Sequence, residues 1–392
     1  MEIEEIKRAS REKLLEYLPQ AETDRQRGYV LVTLAQKFIG SDLSKATEFI
    51  AQARRLEPEL DRDFGIYLNI TEGNICFNRG DFPAAEENYT RALALARELE
   101  NQGKIAQVLN NLGIVCWKEG KYSQSLEYLS EALKIREQVG DDEDIAQTYE
   151  NIGIVYYSLG EYESALEHFG NALQLWRKLE NPSRIANTLN NIGALYRELG
   201  DLQKALEYLQ KSLEYKRKLG DRGTLASTLG NIGTIYARQG DYSRGLEYLS
   251  EALELAQENR LSSLEAEIYS EMAQCHFAAG ETDRAEKLAL KSLELTESLG
   301  MLSEREKAAQ LLSEIYAARR KYKKAWQFLK KVLGLREKIF SDRLDSAVAE
   351  LKVKYETDKK RREAEIYHLK YVELKRMNEE LVATKEALER YK

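Results

Sequence analysis

Cysteine, histidine and proline are scarce: the 392 residues contain only 3 Cys, 3 His and 4 Pro. An odd number of cysteines (Cys76, Cys116 and Cys275) without close spacing offers neither a disulfide framework nor a metal knuckle, so all three are expected to be reduced core thiols. With so little proline, little interrupts a helix, and the chain shows no sustained apolar/polar alternation of the kind a strand needs. No apolar run approaches the roughly 18 residues of a membrane span. The acidic start Met1-Glu2-Ile3-Glu4-Glu5-Ile6 lacks the apolar core of a signal peptide. These absences predict a cytoplasmic all-α protein with no membrane partner. Positive charge is not in excess either: 59 basic against 66 acidic residues leave a net charge of −7, which argues against nucleic acid as a partner. There is no phosphate-cradling glycine loop, no metal-ligand constellation and no nucleophile set beside a base. We therefore expect no catalytic residues, no metal and no cofactor.

What the chain does have is periodic glycine. Gly40, Gly80, Gly120, Gly160, Gly200, Gly240 and Gly280 are spaced by 40, and a second register seven residues earlier runs through Gly73, Gly113, Gly153, Gly193 and Gly233, continuing as Ala273 and Ser313. Two small-residue registers in step imply a solenoid whose units bury their apolar faces only by stacking. In one unit Ile105, Leu109, Leu112 and Cys116 follow helical spacing, Gly120-Lys121-Tyr122 makes a turn, and Leu126, Leu129, Ala132, Leu133 and Ile135 mark a second helix. Gly113 permits close approach of the two helices, and Gly120 can end the first in a left-handed conformation.

These residues resemble the tetratricopeptide repeat. A Leu or Ile precedes the small residue (Leu112, Ile152, Ile192, Ile232), an aromatic follows three later (Tyr156, Tyr196, Tyr236, Tyr316), and small residues recur in the second helix at Ala85, Ala165, Ala205, Ala285 and Ala325 and at Ala92, Ala132, Ala172 and Ala252. The usual unit has about 34 residues. Here only the first unit keeps the closing proline, as Pro58, and the others are longer, similar to arrays in spindle-orientation adaptors, kinesin light chains and bacterial signalling proteins. The resemblance implies a right-handed superhelix of about eight units over residues 25–340, the last first-helix lying near Lys307 to Ala318. One capping helix would occupy residues 2–18 of an N-terminal segment 1–24.

The resemblance also implies that first helices line a concave groove into which the residue two before the small position points. That residue is Asn in four successive units: Asn111, Asn151, Asn191 and Asn231. A carboxamide carries donor and acceptor, so such a ladder suits the unpaired backbone of an extended peptide. Asn110, Asn190, Gln107, Gln147 and Asn187 widen the polar strip, while Phe77, Trp117, Tyr157 and Arg197, four after the small position, are candidate anchors for ligand side chains. The same Asn and aromatic residues also serve in repeat consensus sequences merely to solvate or pack the first helix. Lys118, Arg197 and Arg238 read as scattered, which disfavours a clamp for a terminal carboxylate. Glu267 and Glu271 make the seventh unit mildly acidic and suited to a basic stretch of ligand.

Residues 341–392 contain neither Gly nor Pro and read as one long helix, about 1.5 Å per residue and so on the order of 75 Å. Leu374, Met377, Leu381 and Leu388 form a candidate coiled-coil seam, with Leu344, Val348, Leu351 and Tyr355 upstream, implying a homodimer through this helix. Lys354 to Lys360 resembles the linker that joins such arrays to output domains in bacterial signalling proteins. The expected function is binding of a protein or peptide in the groove, as the sensory part of a signalling protein. The alternative is a scaffold that assembles partners on its convex and tail surfaces.

Overall fold

From residue 80 to residue 320 a left-handed residue falls at every twentieth position: Gly80, Glu100, Gly120, Gly140, Gly160, Glu180, Gly200, Gly220, Gly240, Arg260, Gly280, Gly300 and Arg320 all have positive φ. The residue that follows is often Asp or Asn, and its side chain accepts a backbone N–H of the next first turn, as at Asp81, Asn101, Asp141, Asn181, Asp201, Asp221 and Asp241. Each such cap is worth about 1 kcal/mol. Stop and start signals at a fixed interval cut the chain into helices of equal length.

The computed structural model describes residues 1–57 and 60–339. Its helices are α1 (Ile3–Arg8), α2 (Arg11–Tyr17), α3 (Asp24–Phe38), α4 (Leu43–Arg54), α5 (Arg62–Arg79), α6 (Phe82–Glu98), α7 (Gln102–Lys118), α8 (Tyr122–Val139) and α9 (Asp142–Leu159). They continue as α10 (Tyr162–Lys178), α11 (Pro182–Glu198), α12 (Leu202–Leu219), α13 (Arg222–Arg238), α14 (Tyr242–Glu258), α15 (Ser262–Ala278), α16 (Thr282–Ser298), α17 (Leu302–Ala318) and α18 (322–339). From α3 onward they form antiparallel pairs, an α-solenoid with no strand among the described residues. Among those residues no helix is long and apolar enough to cross a membrane.

Within a pair the second small-residue register sets the approach of the helices. A Cβ added at Gly113 would lie 2.6 Å from Leu129 Cγ, and one at Gly193 would lie 2.6 Å from Leu209 Cγ. The aromatic three residues further on stacks on the second helix: Tyr196 on Tyr208 at 5.4 Å, Tyr236 on Tyr248 at 5.6 Å, and Tyr316 on Phe328 at 5.5 Å between ring centroids. Ala85, Ala92, Ala132, Ala165, Ala172, Ala205 and Ala252 are fully buried between these helices. All three cysteines are free thiols, with Cys116 and Cys275 buried. Burial pushes the Cys116 thiol up to about 12 and the Cys275 thiol up to about 11.

The structure corrects two expectations. The N-terminal segment is two short helices, because Ala9 is extended and Ser10 caps α2 by accepting the Lys13 N–H; Ile6 and Leu14 are nonetheless fully buried against α3. The first helix of the last unit begins at Leu302, five residues before Lys307. Gly40, although in the same register as the left-handed glycines, has no positive φ, since α3 ends through Ile39 in a right-handed conformation. Pro58 and the whole tail, with Leu374, Met377, Leu381 and Leu388, lie outside the described residues.

Candidate functional site

First helices of successive units touch one another, α5 on α7, α7 on α9, α11 on α13, α13 on α15 and α15 on α17, while among the described residues the second helices from α4 to α16 make no comparable contact. The first helices therefore line the inner face of the array, where the asparagine ladder was expected. Its four members are all half-buried there, but they fall into two kinds. Asn151 Nδ2 donates to Asn110 Oδ1 of the preceding unit at 2.9 Å, and Asn231 Nδ2 donates to Asn190 Oδ1 at 3.3 Å. Asn190 Oδ1 also accepts from Thr228 Oγ1 at 3.0 Å, and Arg197 Nη1 donates to Asn231 Oδ1 at 2.6 Å. These residues tie neighbouring first helices together. Asn111 and Asn191 make no side-chain hydrogen bond among the described residues, nor do Gln147 and Asn187, so their amides face the groove open. Gln107 accepts from Lys104 Nζ at 2.9 Å.

The expected aromatic anchors sit where the first helix turns into the second. Phe77 packs on Phe82 at 5.6 Å and Tyr157 on Tyr162 at 5.9 Å between ring centroids. Trp117 Nε1 donates to Ser158 Oγ of the next unit at 2.8 Å, and the Lys118 ammonium lies 4.3 Å from its ring centre. Each ring is half-buried, with part of its surface left to the groove rim.

Cavities lie further along, among α11, α13, α15 and α17. One of about 350 Å³ is bordered by Arg197, Gly230, Arg238, Glu267, Ser270, Glu271, Glu304 and Lys307, and a neighbour of about 560 Å³ shares Arg238, Glu271 and Lys307. Arg197 and Arg238 are thus not scattered: units stacked one after another bring them to one wall, which corrects the sequence reading. Burial holds the Glu271 carboxyl above its ordinary value, against the pull of Arg197, Arg238 and Lys307. Glu304, Lys307, Gly230 and Ser270 were missed. The signal for Gly230 and Ser270 was the register 110, 150, 190, 230 and 270, in which 230 alone is glycine; Glu304 and Lys307 had none.

The junctions between units are polar at the centre of the array. Buried Arg136 donates to the Asp144 carbonyl at 2.9 Å and to Thr148. Forty residues later Trp176 is fully buried, beside a Glu150 carboxyl raised by burial and hydrogen-bonded to Thr188. Forty more bring Lys216, which donates to the Thr224 carbonyl and to Thr228 Oγ1, both at 3.0 Å. Burial lowers the Lys216 ammonium to about 8.

A family profile described as tetratricopeptide repeat matches residues 67–138, 144–218 and 224–298. No curated protein matches the sequence. Among solved structures, a Rap protein complexed with Competence and Sporulation Factor is 18% identical, covers 85% of this chain and 92% of its own, and superposes with a TM-score of 0.66. Aspartyl phosphate phosphatase F from Bacillus subtilis is 17% identical, with coverage of 85% and 91% and a TM-score of 0.62. The Rap conjugation gene regulator of the plasmid pLS20, in complex with the Phr* peptide, is 16% identical, with coverage of 79% and 95% and a TM-score of 0.58. At these identities the likeness is one of fold.

Proposed function

The chain belongs to the tetratricopeptide repeat family, and from that premise we propose that its inner face binds an extended peptide or partner segment as the regulatory part of a bacterial signalling system. The observation that carries this reading is the open pair Asn111 and Asn191, whose amides are free for a peptide backbone while Asn151 and Asn231 hold the helices that present them. Two of the similar structures are named as complexes, one with Competence and Sporulation Factor and one with the Phr* peptide, which supports a groove ligand of this class. One similar structure is named a phosphatase, yet the reading here is of binding without catalysis. The thiol at the larger cavity, Cys275, is pushed up to about 11 and is not a nucleophilic thiolate at neutral pH.

In this proposal the array is the longer, 40-residue subtype, the protein works in the cytoplasm, and residues 341–392 form a dimerising coiled coil. The last described helix favours dimerisation: α18 exposes Tyr322, Trp326, Leu329 and Leu333 at spacings of 4, 3 and 4, immediately before the tail's own apolar stripe. We assign that stripe to a second copy of the chain. Affinity capture from native lysate tests the groove, with wild type compared to an Asn111→Ala, Asn191→Ala variant of unchanged helicity. A partner lost only from the variant supports the reading; an unchanged set of partners transfers the function to the convex and tail surfaces, as in a scaffold.

A further inference from the structure

Glu271 occupies the ladder position of the seventh unit, in register with Asn151 and Asn231. Each of those asparagines bonds to the residue 41 positions earlier, Asn110 and Asn190. The residue in that place before Glu271 is Gly230, which has no side chain to offer. Two consequences follow from the one missing side chain. The Glu271 carboxylate lacks the asparagine its counterparts bond to, which leaves Thr234 of the preceding unit and the charges of Arg197, Arg238 and Lys307 to offset its burial, and the space a side chain at 230 would enter is part of the cavity of about 350 Å³. Close packing does not require the glycine: a Cβ at position 230 would meet nothing nearer than Ile268 Cγ1 at 3.9 Å. Glycine inside a helix costs about 0.5–1 kcal/mol relative to alanine, so the hollow is kept at the expense of stability.

The lining shows what would fill it. Ser270 is 8% exposed, borders the same cavity, and its hydroxyl has no hydrogen-bond partner. Among the described residues, Glu267, Glu271 and Glu304 form no ion pair, while Arg197 is already engaged by Glu198 at 2.9 Å and by Asn231 at 2.6 Å. That leaves three carboxylates against the two free cations Arg238 and Lys307. Burial of the Glu271 carboxyl still outweighs what these neighbours and Thr234 supply, and a carboxylate so placed gains from a further charged donor.

We propose that the cavity beside Gly230 is a subsite for a cationic side chain, Lys or Arg, of the bound peptide, with Glu271 at its base, Glu267 and Glu304 at its rim and the Ser270 hydroxyl accepting one of its N–H groups. This rests on the groove reading above and adds to it the charge of the ligand and the place where that charge sits.

The test uses the full chain and pools of N-acetylated, C-amidated hexapeptides, each pool with one fixed residue, read by fluorescence anisotropy. Blocked ends leave the side chain as the only cation under comparison. Pools fixed as Arg or Lys bind about tenfold tighter than pools fixed as norleucine, the size expected for one or two charge-assisted hydrogen bonds. Glu271→Gln removes most of that preference. Gly230→Asn, which narrows the hollow and supplies the ladder partner, removes it as well while the melting temperature is unchanged or raised. Binding without a preference for Arg or Lys, or a preference that survives both substitutions, overturns the subsite and leaves the groove reading standing. Failure of every pool to bind overturns the groove reading and the subsite with it.

Discussion

Four of the thirteen left-handed positions are not glycine: Glu100, Glu180, Arg260 and Arg320 hold φ between 49° and 57°. A side chain with a Cβ pays roughly 1–2 kcal/mol for that conformation. Glu180→Gly is therefore expected to stabilise the protein by about 1 kcal/mol, read from the midpoint of urea unfolding. Lys216 makes a second prediction at this scale. Its ammonium loses its proton near 8 in the folded protein and near its ordinary 10.5 in the unfolded chain. Between those values the unfolded state holds more protons, so stability rises with pH across the window, and below about 8 the full penalty applies. Lys216→Met should raise stability at pH 7 by about 2 kcal/mol, and the gain should shrink as pH climbs toward 10.5. A gain that does not depend on pH would mean that packing and not charge sets the difference. At this scale the sequence announced the ladder asparagines but not their pairing. The partner of Asn151 is Asn110, 41 residues away, and which of two adjacent asparagines faces the next helix depends on the rotation of that helix.

The boundaries of most helices were legible because glycine and Asp or Asn punctuate them, and the turns held by Glu100, Glu180 and Arg260 were hidden because no residue type advertises a strained φ. The break at Ala9-Ser10 was missed because a lone serine before a charged run is weak evidence for a cap. Close approach within a helix pair was legible from Gly113 and its counterparts. It predicts opposite outcomes for two superficially alike substitutions. Gly193→Ala would set a Cβ 2.6 Å from Leu209 Cγ and 3.3 Å from the Ala205 carbonyl, and should cost about 1–3 kcal/mol. Gly170→Ala, inside α10 with nothing within 4 Å, should gain about 0.5–1 kcal/mol. Thermal denaturation of the two variants separates them, and a common sign would refute the packing account of the register.

At the scale of the molecule, an array of near-identical units places equivalent positions along one inner face, so a departure from the repeat is where specificity enters. Gly230 and Glu271 are such departures, and the cavity they border was not readable from any single unit because it lies between four helices. The dimer belongs to this scale too. Residues 1–392 should form a dimer by light scattering, residues 1–339 alone should be a monomer, and Trp326→Ser in the 392-residue chain should weaken the dimer; a monomer at every length would rule out the coiled-coil tail. The central claim is that ligand lies along the inner face. A photo-reactive benzoylphenylalanine at position 191 in the groove, compared with one at position 215 on the second helix α12, tests it in cells by identifying what is cross-linked. A peptide adduct is expected at 191 and none at 215; adducts at 215 alone, or equal labelling at both, would place the ligand outside the groove.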